Sequence, residues 1–259
     1  MFDQSEFLTV HGCRVAIGRR GSGPPLLALH GMDGASGFGP MAERLAERFS
    51  VVLPSHPGFD ASDTPDWLDG ISDLAYFYLE TIERLDLRNL HLVGASIGGW
   101  IAAEMAIRDS SRLASLTLIA AAGVRAAGAA MGDPFLWSPE AQVRNLVHDQ
   151  AIASALLQAP ASEEELARRL KNRFTSAKLV WHPRFFSPEL QKWLPRVRTP
   201  TTIVWGADDK LFPIEQAHAF QRLIPGSSLR IVARCGHLVH VERPDELAGL
   251  IFDSVRRGR

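Results

Sequence analysis

The residues most able to do chemistry in this sequence form the pentapeptide Gly-Ala-Ser-Ile-Gly at 94–98, with Gly99 directly after it. The pentapeptide follows a short apolar run that ends at Val93, and it opens a segment of helical character. A serine between two glycines at a strand-to-helix turn is the pattern of a nucleophile elbow, in which the hydroxyl group projects from a sharp corner of the backbone. Side chains two residues before and after the serine would crowd that corner. The pattern predicts Ser96 as a nucleophile, and a glycine-rich turn without chemistry is the alternative.

A serine hydroxyl group is a poor nucleophile near neutral pH, so it needs a base, and the base needs a group that orients it. Two later loops supply these groups in the order acid, then histidine. The first loop contains Asp208 and Asp209 and follows a short apolar run that we interpret as a buried strand. The second loop contains His237 and follows the next predicted strand.

Four motifs now agree in order and spacing, and together they resemble the α/β-hydrolase fold superfamily over nearly the full length of the chain. They are His30-Gly31, the elbow at Ser96, the loop Gly206-x-x-Asp209-x-x-x-Pro213, and Gly236-His237 followed by Glu242-x-Pro244. Four concordant motifs are far more specific than one. The resemblance implies an α/β fold of the hydrolase type, with a mostly parallel central sheet flanked by helices and an inserted helical cap.

The resemblance also implies a role for each site residue. Ser96 is then the nucleophile, His237 is the general base and later the acid, and Asp209 is the carboxylate that holds the imidazole. The oxyanion hole would consist of the backbone N–H groups of Ile97 and Met32.

Two of these assignments have a neighbouring competitor. The acid of this family lies three residues after the glycine of its loop and four before the proline, which selects Asp209 over Asp208. Asp33 is a second candidate for the donor assigned to Met32. His30 and His240 are expected to be structural residues.

The elements that must position these residues alternate between strands and helices, which is typical of a mostly parallel sheet covered by helices. Residues 123–196 interrupt the alternation, with helical stretches at Pro139 to Leu157 and Ser162 to Leu179 and no strand-like run. We therefore predict a core formed by 1–122 and 197–259, with 123–196 as a helical cap. The apolar spacing predicts these core elements: strands at 7–10, 14–17, 26–29, 51–53, 116–120, 201–205 and 229–232, and helices at 38–49, 74–85, 97–107, 214–223 and 244–255.

The composition excludes several classes of function. The chain has 259 residues, of which 46% are apolar, and 28 Lys and Arg against 29 Asp and Glu give a net charge of −1. Such a balance favours neither nucleic acid nor an anionic membrane as a partner. The two cysteines, Cys13 and Cys235, and the histidines have no metal-binding spacing, so we expect no metal, no cofactor and no disulfide framework. No signal peptide or membrane-spanning run is visible, so we expect a soluble cytoplasmic protein acting on a small molecule.

The elbow residue narrows the reaction. Haloalkane dehalogenases and epoxide hydrolases of this fold carry aspartate there, and this chain carries Ser96. The first hypothesis is a serine hydrolase that cleaves a small or medium, largely apolar carboxylic ester through an acyl-enzyme.

Other reactions of the same fold stay open. They are lactone hydrolysis, perhydrolysis and C–C bond hydrolysis of ring-cleavage diketones, although hydrolases of the last kind typically have Asn where this chain has Ala95. A receptor that binds its ligand and turns it over slowly is the alternative outside enzymes. Ligand sites are mostly apolar, so we expect some aromatic residues of the predicted cap to face the cleft. They are Phe135, Trp137, Phe174, Trp181, Phe185, Phe186 and Trp193.

Overall fold

The computed structural model describes residues 6–257, with the side chain of Arg257 excepted. The first five and the last two residues of the predicted core therefore lie outside the described part. Within it, eight strands form one sheet in the order β1-β2-β4-β3-β5-β6-β7-β8. The strands are β1 (Glu6–Val10), β2 (Cys13–Arg20), β3 (Pro25–Leu29), β4 (Ser50–Pro54), β5 (Leu90–Ala95), β6 (Leu113–Ile119), β7 (Thr201–Gly206) and β8 (Ser228–Val232).

The sheet is antiparallel at one edge and parallel elsewhere. β1 and β2 form the predicted hairpin, β2 pairs antiparallel with β4, and all further pairs are parallel. The two strands that lead into the candidate site, β5 and β7, are buried along their whole length. Parallel strands are buried in this way when helices cover both faces of the sheet. The predicted fold class, a mostly parallel sheet flanked by helices, is confirmed.

The helices bury apolar residues on both faces of this sheet. Residues of α2, α3 and α8 pack into one apolar cluster, and residues of α1 and α10 pack into the other. The helices are α1 (Ala35–Leu45), α2 (Ile71–Arg84), α3 (Ile97–Arg108), α4 (Pro139–Leu146), α5 (Gln150–Gln158), α6 (Glu163–Val180), α7 (Pro188–Trp193), α8 (Ile214–Leu223), α9 (Val239–Glu242) and α10 (Pro244–Arg257). A short 3-10 turn, Leu194–Arg196, follows α7. None of the helices in this described stretch is long and apolar enough to cross a membrane.

Two helix predictions need correction. The helix predicted over 38–49 ends at Leu45, and Phe49 is buried beyond it in the following turn. The stretch 139–157 is two helices, because Val147 is extended and Asp149 begins α5 anew. The Asp149 carboxylate accepts the N–H of Ala151 at 2.8 Å, as an N-cap residue does.

The connection from β6 to β7 contains α4 to α7. Helix α6 begins after Ser162, whose hydroxyl oxygen accepts the N–H of Glu165 at 3.2 Å. The helix lies against the loop that follows β4, where the Thr175 hydroxyl group donates to the carbonyl of Gly58 at 2.7 Å. Because Pro134, Gln142 and Leu146 line the same cleft as Ser96, this connection lies over the carboxyl end of the sheet. Its division from the core as a separate cap stays a prediction.

Candidate active site

Ser96 lies at the junction of β5 and α3 with a φ of 54°, in the left-handed region that non-glycine residues seldom adopt. A Cβ at Gly94 would lie 2.3 Å from the carbonyl oxygen of Gly98, and one at Gly98 would lie 2.2 Å from that of Leu29. Neither position can hold a side chain without a shift of the backbone. The two glycines thus let β3, β5 and α3 meet closely at the serine.

The structure brings Ser96, His237 and Asp209 into one hydrogen-bonded row. The Nε2 atom of His237 lies 3.0 Å from Ser96 Oγ, and its Nδ1 atom lies 2.8 Å from Asp209 Oδ2. The other carboxylate oxygen, Oδ1, accepts the N–H groups of Leu211 and Phe212, both at 2.9 Å. An ionised carboxylate only accepts hydrogen bonds, so Nδ1 of His237 carries the proton and Nε2 is free to accept from the serine hydroxyl group.

Asp208 lies in a different environment from its neighbour. Its carboxylate is 45% exposed and lies 3.0 Å from Nδ1 of His148, in the connection between α4 and α5. The side chain of Asp209, in contrast, is fully buried beside His237. The structure therefore places Asp209 at the imidazole and Asp208 at the surface.

The peptide between Gly31 and Met32 lies against the serine. A Cβ at Gly31 would be 3.3 Å from Ser96 Cβ. The carbonyl oxygen of Gly31 accepts hydrogen bonds from Nδ1 of His30 at 2.7 Å and from the N–H of Gly34 at 3.3 Å. In a trans peptide the C=O and the next N–H point in opposite directions, so the N–H of Met32 is directed away from His30.

The loop 30–34 begins with a buried histidine, His30, which stacks on the buried ring of His56. The rings of His30 and His56 lie 3.7 Å apart, and burial lowers the pKa of both imidazoles. Nε2 of His30 accepts the N–H of His56 at 3.0 Å, and Nε2 of His56 donates to the carbonyl of His30 at 3.0 Å. The remaining atom, Nδ1 of His56, accepts from the hydroxyl group of Tyr78 at 2.5 Å. Each ring is therefore neutral with one tautomer fixed by its partners, which agrees with the structural role expected for His30.

Glu242 joins the loop that carries His237 to the turn between α4 and α5. Its Oε1 atom accepts the N–H of Gly236 at 2.6 Å, directly before His237. Its Oε2 atom accepts the N–H groups of His148 and Asp149, both at 2.9 Å. The sequence places Glu242 in a motif but gives no sign of these long-range partners.

The two cysteines are unsuited to serve as nucleophiles. Both thiols are free and buried, and burial raises the pKa of Cys13 to about 11 and that of Cys235 to about 12. A thiol needs its thiolate form to attack, so neither reacts readily near neutral pH. Among the described residues, no group of three His, Cys, Asp or Glu side chains is arranged to hold a metal ion. That the protein needs no cofactor stays a prediction.

The cleft beside Ser96 is narrow. The cavity there has a volume of about 20 Å³, enough for about one water molecule. The side chains around it are mostly apolar, with a few polar ones. They are Met32, Phe38, Leu146, Leu211 and Leu238, and then Asp33, Gln142 and His240.

The aromatic residues of 123–196 do not line this cleft, so the expectation that some of them face it is wrong. Phe185 is buried and stacks on Phe135 at 5.7 Å, while Phe174 and Trp181 are 75% and 56% exposed. Aliphatic side chains contributed by several loops and by α4 take that place instead. They come from distant parts of the sequence, which the pattern of one segment does not reveal.

His240 was expected to be structural, and it packs on Phe38 with ring centroids 5.2 Å apart. Burial, with His237 nearby, lowers the pKa of His240 to about 4. Its buried Nδ1 atom has no hydrogen-bond partner in the described part of the chain. A neutral imidazole with an unpaired nitrogen therefore lies at the wall of the cleft.

Comparisons with known proteins show which family this fold belongs to. The profile of the alpha/beta hydrolase fold matches residues 24–244. A 2-hydroxy-6-oxononadienedioate/2-hydroxy-6-oxononatrienedioate hydrolase of Burkholderia vietnamiensis is 27% identical over 254 residues, which cover 90% of this chain and 87% of that protein. A monoacylglycerol lipase of Bos taurus is 24% identical over 93% of this chain and 78% of its own. The crystal structure of a membrane phospholipase A, a bacterial virulence factor, superposes with a TM-score of 0.80 at 26% identity, covering 97% of this chain and 86% of that one.

Proposed function

This chain belongs to the alpha/beta hydrolase fold family, and we propose that it is a serine hydrolase, as the two relatives compared above are a hydrolase and a lipase by name. The proposed substrate is a small or medium, largely apolar carboxylic ester, cleaved through an acyl-enzyme. The observation that carries this proposal is the row of contacts from Asp209 through His237 to Ser96, at 2.8 and 3.0 Å.

The proposed mechanism begins with Ser96 Oγ attacking the ester carbonyl carbon while Nε2 of His237 takes the hydroxyl proton. The carbonyl oxygen gains the negative charge, and the N–H groups of Met32 and Ile97 would donate to it. Within residues 6–257, neither N–H donates a hydrogen bond to another protein group. Ile97 is also the first residue of α3, where the helix dipole favours an anion.

Collapse of this intermediate breaks the ester C–O bond, and His237 returns its proton to the leaving alcohol. A water molecule, deprotonated by His237, then attacks the acyl-enzyme, and the acid and the free Ser96 hydroxyl group are released. Asp209 keeps its charge throughout and stabilises the imidazolium that forms in each half-reaction.

The lining of the cleft supports a neutral substrate. Among the described residues around it, Asp33 is acidic and there is no lysine or arginine. A substrate that carries carboxylates would meet no cationic partner there, and an unpaired buried charge is costly. This favours an ester over an acidic ring-cleavage product, although one relative acts on such a compound by name.

The helical segment 123–196 would act as a cap that admits substrate. Pro134, Gln142 and Leu146 of this segment line the cleft beside Ser96, so their movement would change the room for an ester. The proposal therefore includes an open state of these residues.

The test is covalent labelling together with a substrate panel. A fluorophosphonate probe should label Ser96, and the Ser96→Ala variant should stay unlabelled and lose about 10⁴- to 10⁶-fold in turnover. The panel consists of p-nitrophenyl esters of graded chain length, a lactone, a peracid-forming reaction and a ring-cleavage diketone. Equal labelling of Ser96→Ala would refute the nucleophile.

The panel also separates the alternatives. Fastest turnover of the diketone, the lactone or the peracid-forming reaction would replace the ester hypothesis by that reaction. A burst of one equivalent of p-nitrophenol, followed by almost no further release, would favour a slow ligand-binding receptor over an efficient enzyme.

A further inference from the structure

Asp60 is a buried carboxylate that the mechanism above does not use. It lies in the loop after β4 with a φ of 45°, and its side chain is only 8% exposed. Burial alone would raise the pKa of this carboxyl group, but the charges and hydrogen-bond donors around it lower the pKa to about 2. Burying a charge and holding a residue at a positive φ both cost free energy. The partners of the Asp60 carboxylate offset this cost, and they show which parts of the fold the residue connects.

One carboxylate oxygen faces the start of α1. Oδ2 accepts the N–H of Ala35 and the hydroxyl group of Ser55, both at 2.9 Å. Ala35 directly follows the loop 30–34 that carries the proposed oxyanion donor. A Cβ at Gly34, the last residue of that loop, would lie 2.4 Å from Asp60 Oδ1, so the carboxylate packs directly against the end of the loop.

The other oxygen faces α6. Oδ1 accepts from Nδ2 of Asn172 at 2.9 Å and from the guanidinium of Arg168 at 2.8 Å. Asn172 in turn accepts the N–H of Asp60 at 2.8 Å, and Lys171 donates to the carbonyl of Asp60 at 2.9 Å. The same guanidinium also donates to the hydroxyl group of Ser36 at 2.6 Å, in the first turn of α1.

We propose that Asp60 is a positioning residue that ties the oxyanion loop 30–34 to α6, so that the oxyanion hole is complete only while α6 is docked. This inference rests on the proposed hydrolase function. An oxyanion donor must lie about 2.7–3.1 Å from the developing charge to be effective. The N–H of Met32 lies two residues before Gly34, so a shift of Gly34 and Ala35 moves that donor out of range. The apolar wall that binds substrate is not part of this tie.

The test is Asp60→Asn, which keeps the size of the side chain but replaces an acceptor by an NH₂ group. Protein donors face both oxygens of the carboxylate. In the variant the NH₂ group therefore points at another donor, either the N–H of Ala35 or the donors of α6, and one hydrogen bond is lost. We expect kcat for a p-nitrophenyl ester to fall about 10- to 100-fold, less than the loss of a whole oxyanion donor. KM should change less than about threefold, and the inhibition constant of a trifluoromethyl ketone should rise in proportion to the loss in kcat.

The control is Asp63→Asn in the same loop. That side chain is exposed and accepts one backbone N–H, from Arg14 at 3.1 Å, so kcat should stay within about twofold of wild type. Active-site titration with the fluorophosphonate corrects every kcat for misfolded protein. A purely structural role of Asp60 would lower the titrated fraction and leave the corrected kcat unchanged.

A second variant restores the polarity of the pair. In the double variant Asp60→Asn/Asn172→Asp, the amide can donate to the new carboxylate while its oxygen still accepts from Ala35. Arg168 and Asn172 bond the same oxygen of Asp60, so the guanidinium lies beside position 172 and can donate to the new carboxylate instead. We expect the corrected kcat to recover about tenfold or more over Asp60→Asn. Either of two results would overturn the inference: a corrected kcat of Asp60→Asn within threefold of wild type, or no recovery of kcat in the double variant. In both cases ester turnover by the wild-type protein would still uphold the proposed function. A wild-type protein without any turnover would refute both.

Discussion

The orientation of His237 depends on one buried side chain, so Asp209→Asn is a sharp test of the proposed mechanism. Oδ1 of Asp209 accepts two backbone N–H groups, from Leu211 and Phe212, both at 2.9 Å. In the variant the amide oxygen must keep these two donors, which turns its NH₂ group toward Nδ1 of His237. Nδ1 must then accept, so the proton moves to Nε2 and the imidazole can no longer take the proton of Ser96. This wrong tautomer should cost about 10⁴ in turnover, or about 5.5 kcal/mol of barrier.

The assay is turnover of p-nitrophenyl acetate by purified Asp209→Asn, with circular dichroism to establish that the variant is folded. Asp208→Asn is the matched control, because it makes the same change one residue earlier on a side chain that is 45% exposed. The control should lose less than about tenfold, or 1.4 kcal/mol of barrier. If Asp208→Asn loses most of its turnover and Asp209→Asn keeps nearly all of it, the assignment of Asp209 as the orienting carboxylate is wrong.

Two further predictions concern the walls of the cleft. His240 has a pKa of about 4 in the folded protein, below about 6.5 in an unfolded chain, so the unfolded state binds more protons as the pH falls and stability declines from pH 6.5 toward 4. The free energy of unfolding, measured in urea at pH 7 and pH 5, should fall by about 2 kcal/mol less in His240→Asn than in the wild type. The same fall in both proteins would contradict the prediction. Leu146→Ala should raise kcat/KM for p-nitrophenyl hexanoate relative to the acetate by about tenfold or more, because the side chain narrows the cleft. Leu156→Ala, the same change on the exposed part of α5, should leave this ratio unaltered, and equal shifts in both variants would refute the role of Leu146.

The sequence predicts the fold well where local pattern and chemistry agree. The alternation of short apolar strands with amphipathic helices predicts the parallel sheet, since buried strands and helices have different apolar periods. Gly94 and Gly98 flank Ser96 because the backbone leaves no room for a Cβ, which is a local requirement and therefore visible in a short motif. The resemblance to the α/β-hydrolase superfamily implies the contact of Asp209 with His237, which is possible because both loops leave neighbouring strands at the same edge of the sheet.

Other features lie beyond what one sequence can reveal. The break between α4 and α5 follows from the cap at Asp149, which looks like an ordinary polar residue inside a helical pattern. Asn172, which bonds Asp60, and His148, which bonds Glu242, are about a hundred residues away from these carboxylates in sequence, and only the folded chain brings them together. Aromatic side chains suggested a pocket wall, yet Phe174 is exposed on α6, because hydrophobicity alone does not say which face of a helix meets the cleft.

The crowding at the elbow has a consequence for how such a protein can evolve. The backbone restricts positions 94 and 98 to glycine, and a Cβ at Gly99 would lie 2.6 Å from that of Ala121, so three neighbours of the nucleophile have almost no freedom to vary. Ser96 itself differs from them, because its side chain lines the cleft. Selection can therefore act on the chemistry at this position only within a frame that stays fixed.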